Sequence, residues 1–356
     1  MKLGIIGLPQ SGKTTIFNAL TRGDRPVSIS GGRFDVNTAV VNVPDPRVDA
    51  LTLMFNPKKT NYAKVTYADI AGLEGSSSGD ISGPLLNQLS QMDAFIHVVR
   101  CFDDPSVPHP AGSVDPLRDI AAMDSEFLLS DLILVESKLE RLAKERRRGA
   151  GRDKAELDRE MALFERLQIA LSDERPLREL TFSVEECRIL SGYGFLSMKY
   201  ILLVLNVAEG HQPPDVDYPC GKAICSVPLQ GQLEMDIAQL SPDDAQIFMD
   251  EYGIEELSLN RMIRISYDLL DLISFFTVGE DEVRAWTVRR GAAAPEAAGV
   301  IHSDLQKGFI RAEVVTFQDL IDLGSMAAAR SKGVLRLEGK KYFVSDGDIM
   351  HVRFNV

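Results

Sequence analysis

Hydrophobic positions along the chain follow two rhythms, and the changes between them divide it. Residues 3–6 (LGII), 94–100 (AFIHVVR) and 200–206 (YILLVLN) are short continuous apolar runs, the pattern of strands buried on both faces of a parallel sheet. AKVTYADIAGL (63–73) alternates instead and predicts a strand ending at Asp69. Over 124–147 the apolar residues Leu128, Leu132, Val135, Leu139 and Leu142 recur at helical spacing. After GAG at 149–151 the rhythm resumes over 153–171 with Leu157, Met161, Phe164, Leu167 and Leu171. Two amphipathic helices about a glycine turn predict an antiparallel hairpin, its stripe a packing seam. Residues 243–273 read as helical. From about 275, short alternating strands (EVRAWTV, FIRAEVVTF, KYFVSDGDIMHVRF) surround a short helical segment near 317–330.

Composition narrows the class. A chain of 356 residues, 45% hydrophobic and 26% charged, supports two or three globular domains and excludes a disordered chain. No apolar run reaches the roughly 18 residues of a bilayer span, and MKLGIIGLPQ lacks the pattern of a signal peptide. Cys101, Cys187, Cys220 and Cys225 form no CxxC pair and accompany only five histidines, so neither a disulfide framework nor a zinc site is expected. A reducing cytoplasm is the expected location. The net charge of −13 excludes general coating by nucleic acid but leaves room for one local basic contact.

The strongest chemical signal follows the first strand. Gly7-Leu8-Pro9-Gln10-Ser11-Gly12-Lys13-Thr14 matches G-x-x-x-x-G-K-[ST] between a strand and a helix start, TIFNAL. Its glycines let backbone N–H groups turn inward as an anion nest, and the helix N-terminus adds partial positive charge. Lys13 is expected to reach the β- and γ-phosphates, and the Thr14 hydroxyl to ligate Mg²⁺. Asp69, at a strand end, is expected to complete the Mg²⁺ shell, with the Gly72 N–H near the γ-phosphate.

The base end is expected at VLNVAEG (204–210). A guanine-reading site carries Asn-Lys-x-Asp there, and the Asp accepts from the N1–H and 2-amino groups that adenine lacks. Here Asn206 is followed by Val207, and Glu209 stands at the Asp position with an extra methylene. The Asn206 amide suits bidentate pairing with adenine N6 and N7. These residues lean towards ATP, and a plain strand end is the competing reading.

GLPQSGKTTIFNAL, VPDPRVDAL, DIAGL, HVVRCF, the VDP of 114–116, LNVAE and the closing RAWTV, KGFIRAEV and DGDIMHVRFNV together resemble the Obg-like ATPases, the YchF family of P-loop proteins. The resemblance runs in order over essentially the whole chain. It implies an α/β fold: a Ras-like P-loop NTPase domain (1–117 and 200–273), an inserted helical coiled-coil hairpin (118–199) and a C-terminal β-grasp TGS domain (274–356). It also implies ATP preference and association with ribosomes in translation or stress responses. On matching positions, Gln10, Ser11, Gly12, Lys13, Thr14 and Thr15 bind phosphates, Val207 lies at the adenine, and Gln230-Gly231-Gln232 closes over the base. Leu73 falls where GTPases keep a water-orienting Gln, so slow intrinsic turnover is expected. His109, in VPHPAG, matches a family histidine proposed to take that role, against the plain reading of a loop histidine. Lys13 and His109 are thus the expected catalytic residues. One departure concerns a switch segment whose Thr completes the Mg²⁺ shell, where this sequence has Arg33.

Lys144, Arg146, Arg147, Arg148, Arg152 and Lys154 crowd the hairpin tip, with Glu145 and Asp153 against them. On an acidic protein this cluster is a candidate contact for the phosphate backbone of rRNA, against a solvated charged tip. Neither a membrane nor sequence-specific DNA is an expected partner. The resulting expectation is a Mg²⁺-dependent ATPase acting as a ribosome-associated switch. A conventional GTPase, a small-molecule kinase and a weakly hydrolytic scaffold are the alternatives.

Overall fold

The computed structural model describes residues 1–21, 36–70, 81, 83–148, 152–218, 226–252, 254 and 256–355. Arg33, Gly72 and Leu73 lie outside the described residues. In chain order the elements begin with β1 (Lys2–Ile6), α1 (Lys13–Thr21), β2 (Val36–Asn42), α2 (Pro46–Phe55), β3 (Lys59–Asn61), β4 (Lys64–Ile70), α3 (Gly83–Ser90) and β5 (Ala94–Cys101). There follow α4 (Pro116–Arg148), α5 (Lys154–Ser172), α6 (Val184–Leu190), β6 (Ile201–Val207), β7 (Ser226–Leu229), α7 (Gly231–Gln239), α8 (Pro242–Glu251) and α9 (Ser258–Leu269). The chain ends with β8 (Leu272–Thr277), β9 (Glu282–Arg289), α10 (Ala294–Ile301), α11 (Ser303–Lys307), β10 (Phe309–Thr316), α12 (Phe317–Leu323), α13 (Met326–Ser331), β11 (Arg336–Glu338) and β12 (Asp348–Phe354).

Two compact units form, Met1–Ala39 with Thr66–Leu259, and Val40–Val65 with Asn260–Val356. In the first, the sheet order is β2-β4-β1-β5-β6-β7, parallel from β4 through β7. The buried runs of β1, β4, β5 and β6 supply its core through Ile6, Ile70, Phe95, Val99 and Leu203. Burial on both faces explains why β1, β5 and β6 read as continuous apolar runs.

The hairpin is α4 and α5, which close a separate seam of Leu128, Val135, Leu142, Leu157, Phe164 and Leu167. Residues 118–199, expected as a domain of their own, fall within the first unit. The helix begins at Pro116, earlier than its apolar stripe suggests. Asp115 Oδ1 accepts the Arg118 N–H at 3.1 Å while Pro116 fills the first helical position, a start signal independent of hydrophobic spacing. Its first turns pack Ile120, Met123 and Phe127 into the sheet core rather than the seam.

In the second unit the sheet order is β11-β10-β12-β8-β9-β3. Its core gathers Ile273, Phe275, Val288, Ala297, Val314 and Met350. The strands quoted from the sequence are present, and α10 and α11 precede β10. Residues 40–65, read from the sequence with the P-loop domain, join this unit instead. The short β3 extends the sheet in parallel with β9. Asp45 caps α2, and Arg47 pairs with both Asp45 at 2.9 Å and Asp346 at 2.7 Å. The VPDPRVDAL motif therefore fastens α2 to the loop before β12.

Candidate functional site

The loop between β1 and α1 is shaped by three backbone positions. Gly7 and Gly12 have φ of +146° and +97°, and Gln10 takes φ +61°, the left-handed region. Alternation of this kind turns successive N–H groups inward. A Cβ at Gly7 would stand 2.4 Å from the Val98 carbonyl oxygen, so the loop also needs glycine for its close approach to β5. Ser11 is 2% exposed, and its Oγ has no protein partner among the described residues. Lys13 Nζ donates to the Gly7 and Leu8 carbonyls at 2.9 and 2.8 Å, which holds its charge over the loop.

Thr14, one residue into α1, donates its hydroxyl to Asp69 Oδ2 at 3.3 Å. Asp69 is the penultimate residue of β4, the parallel neighbour of β1, so sheet register brings the two together across 55 positions. A hydroxyl and a carboxylate are the hard oxygen donors Mg²⁺ takes, and two protein ligands leave its other positions to phosphate and water. The donor set fits the ion. Thr15 follows on α1, partly exposed.

Asn206 bridges the loop after β1 and the Gly231 turn. Its Nδ2 donates to the Ser11 carbonyl at 3.0 Å, and its Oδ1 accepts the Gly231 N–H at 3.0 Å. The fit is tight, since a Cβ at Gly12 would lie 2.2 Å from Nδ2 and one at Gly231 2.9 Å from Oδ1. The amide read from the sequence as free to pair with a base is already engaged at both ends, with one N–H and one lone pair left. Val207 is buried at the end of β6, Gly231 opens α7, and Glu209 is exposed in the turn between.

His109 lies in the loop after β5. Its Nδ1 accepts the Ala111 N–H at 3.1 Å, and Nε2 is 2.9 Å from Asp119 Oδ2. A carboxylate only accepts, so the ring is the neutral Nε2–H tautomer. Its side chain is 3% exposed. Arg118 grips the other oxygen of Asp119 through Nε and Nη2 at 3.1 and 2.8 Å. Arg100, in register with Asn206 on the next strand, donates to the Phe102 and Val107 carbonyls and shapes the loop ahead of His109. Asp119 and Arg100 were not legible as site residues. Arg100 had one signal, a charge closing an otherwise apolar strand.

His97 is a second histidine near the loop, buried on β5. Burial, and then the Lys13 charge, lower its pKa from 6.5 to about 3, so it stays neutral and is no general base at ordinary pH. At the end of β5, burial and then Asp119 push the Cys101 thiol up to about 12, which makes it a poor nucleophile.

The hairpin tip is less bare of acids than its local sequence. Arg152 pairs with Glu145, Glu156 and Glu160, Arg146 reaches Asp158 across the hairpin, and Lys144 approaches Glu140. Acids one turn away or on the facing helix escape a count over consecutive residues. Arg147 and Arg148 are exposed and make no ion pair among the described residues.

Known proteins resemble this chain throughout. Residues 2–138 match a family described as 50S ribosome-binding GTPase, and residues 272–355 match the YchF-GTPase C-terminal family, described as a protein of unknown function. The "Ribosome-binding ATPase YchF" of Bacillus subtilis is 40% identical over 99% of both chains. Its counterpart in Haemophilus influenzae is 41% identical over 100% of this chain and 99% of its own. The structure titled "Structure of the Schizosaccharomyces pombe YchF GTPase" superposes with a TM-score of 0.85 at 32% identity, covering 99% of this chain and 97% of that one.

Proposed function

The chain belongs to the YchF family of P-loop proteins, and from that premise we propose that it is a Mg²⁺-dependent ATPase that acts as a switch on the ribosome. The observation that carries the reading is the Asn206 bridge, which ties the phosphate loop to the Gly231 turn and makes one continuous site. Backbone N–H groups of the loop and Lys13 would hold the phosphates, with Thr14 and Asp69 as the protein ligands of Mg²⁺. That ion supplies charge neutralisation at the phosphoryl oxygens when bound. His109 would serve water activation, with Leu73 unable to do so. Arg147 and Arg148, the exposed cations of the tip, would meet rRNA phosphates.

ATP preference is supported by what Glu209 lacks. A guanine reader needs a desolvated carboxylate facing N1–H, whereas Glu209 is exposed in a turn. Leaving a buried guanine donor unpaired costs about 1–3 kcal/mol, or roughly ten- to hundredfold in preference. A GTPase reading is favoured by one observation, since the N-terminal family description and the fission-yeast title both say GTPase. Calorimetric titration with Mg²⁺ and non-hydrolysable ATP and GTP analogues decides. Tighter binding of the ATP analogue supports the proposal, and equal or reversed affinity replaces it with the GTPase.

A further inference from the structure

His109 is in no position to act on water. Its ring is buried, Nδ1 is occupied by the Ala111 N–H, and Nε2–H is given to Asp119. To activate water an imidazole needs one free ring nitrogen, so this contact must open before His109 can take part. The element that holds it shut is α4. Asp119 is in the first turn of this 33-residue helix, which runs about 50 Å at 1.5 Å per residue to the basic tip. One turn on, Asp124 Oδ1 accepts from the Tyr218 hydroxyl at 2.9 Å and from Arg178 Nη2 at 3.1 Å. Arg178 also donates to the Tyr218 oxygen at 2.7 Å. Tyr218 lies in the segment that follows β6 and the base end. The root of one rigid helix thus grips the loops that follow both β5 and β6, while its far end carries Arg147 and Arg148.

We propose that Asp119 is an inhibitory positioning residue, a latch that keeps His109 from the reaction, and that displacement of α4 when its tip is engaged releases it. This rests on the reading above that the chain hydrolyses a nucleotide with the help of His109. A two-state contact at the helix root is the kind of element that lets a distant binding event change turnover without touching the nucleotide.

The test is steady-state ATP turnover by the full-length protein, with Mg²⁺ and saturating ATP, with and without ribosomes. The variants are Asp119→Asn, Arg118→Gln, His109→Ala and the double Asp119→Asn/His109→Ala. Asparagine presents one amide NH₂ where two donors now meet carboxylate oxygens, so it cannot satisfy both Arg118 and His109. Asp119→Asn is expected to raise basal kcat severalfold with little change in KM, and to shrink the stimulation by ribosomes. Arg118→Gln, at a partly exposed site, removes the anchor on the other oxygen of Asp119 and so loosens its placement against His109, and should do the same to a smaller degree. The gain should vanish in the double variant. Imidazole ¹⁵N spectra should report Nε2–H for His109 in the wild type and lose that signature in Asp119→Asn. If both latch variants bind ATP normally yet turn over at or below the wild-type rate, while His109→Ala is impaired, the latch is overturned and the His109 role stands. If His109→Ala turns over like the wild type in the presence of ribosomes, where the latch is released, the role of His109 fails and the latch with it.

Discussion

Asn206 joins residues 195 and 25 positions away, and both of its bonds lie in the interior. Asn206→Ala leaves the Ser11 carbonyl and the Gly231 N–H without their partner, at about 1–3 kcal/mol for each buried group. The variant should melt at lower temperature and bind ATP at least tenfold more weakly by calorimetry. Unchanged affinity would mean that the bridge shapes nothing the nucleotide touches. Gly12→Ala tests the same fit from the other side, because the new Cβ would stand 2.2 Å from Nδ2 at a φ of +97°. It should abolish nucleotide binding while the second unit still folds. The sequence marked Gly12, Lys13, Thr14, Asp69 and Asn206 because each type answers a local chemical need. What each side chain touches was not legible, since the Asn206 bridge depends on the register of β6 with β5 and β7 rather than on any motif.

Two buried titratable groups sit on elements that build the first unit, and they pull stability in opposite directions. His97 on β5 has its pKa lowered to about 3, so between pH 6.5 and 3 the unfolded chain binds the proton that the folded one refuses. Its contribution is whole above pH 6.5 and is lost as pH falls, by about 2 kcal/mol at pH 5. Asp131 on α4 accepts from the Leu196 and Ser197 N–H groups and the Ser197 hydroxyl, yet burial outweighs those bonds and raises its pKa from 3.8 to about 6. Its contribution is whole below pH 3.8 and lost as pH rises through 6, so acidification to pH 5 returns about 1 kcal/mol. The second offsets about half of the first. Melting temperature of the wild type should therefore fall only modestly between pH 6.5 and 5, whereas His97→Leu should become more stable on acidification relative to its own value at pH 7. A His97→Leu protein whose stability follows the same pH dependence as the wild type would show that folding does not suppress protonation of His97. At this scale the periodicity exposed β1, β5, β6 and both hairpin helices. It missed the start of α4, where the first turns serve the sheet core, and it missed α10, a short helix of small residues with little amphipathic contrast.

Across the whole molecule the sequence reading erred where distant segments meet. Residues 40–65 follow the P-loop in the chain but complete the sheet of the second unit, through β3 on β9 and Arg47 on Asp346. A reading that proceeds along the chain assigns them to their neighbours, because a three-residue edge strand and one ion pair leave no periodic trace. The same limit affects charge. With a net charge of −13, any attraction to RNA would have to come from a local patch, and the tip's cations are partly neutralised by acids on facing turns. Arg152 is bound to Glu160, whose side chain is 8% exposed, so its replacement would disturb the hairpin before it disturbed a partner. Arg147 and Arg148 are free of that cost. The double variant Arg147→Glu/Arg148→Glu should keep the wild-type melting temperature and ATP affinity, yet cosediment with ribosomes more weakly. Each lost phosphate contact lowers the dependence of log affinity on log salt by roughly 0.7–0.9. Two contacts should therefore flatten that slope by roughly 1.5, and the gap between variant and wild type should close as salt is raised. A reduction in binding that persists unchanged at high salt would mean that the tip meets its partner through packing, and the contact would then be with ribosomal protein rather than with the RNA backbone.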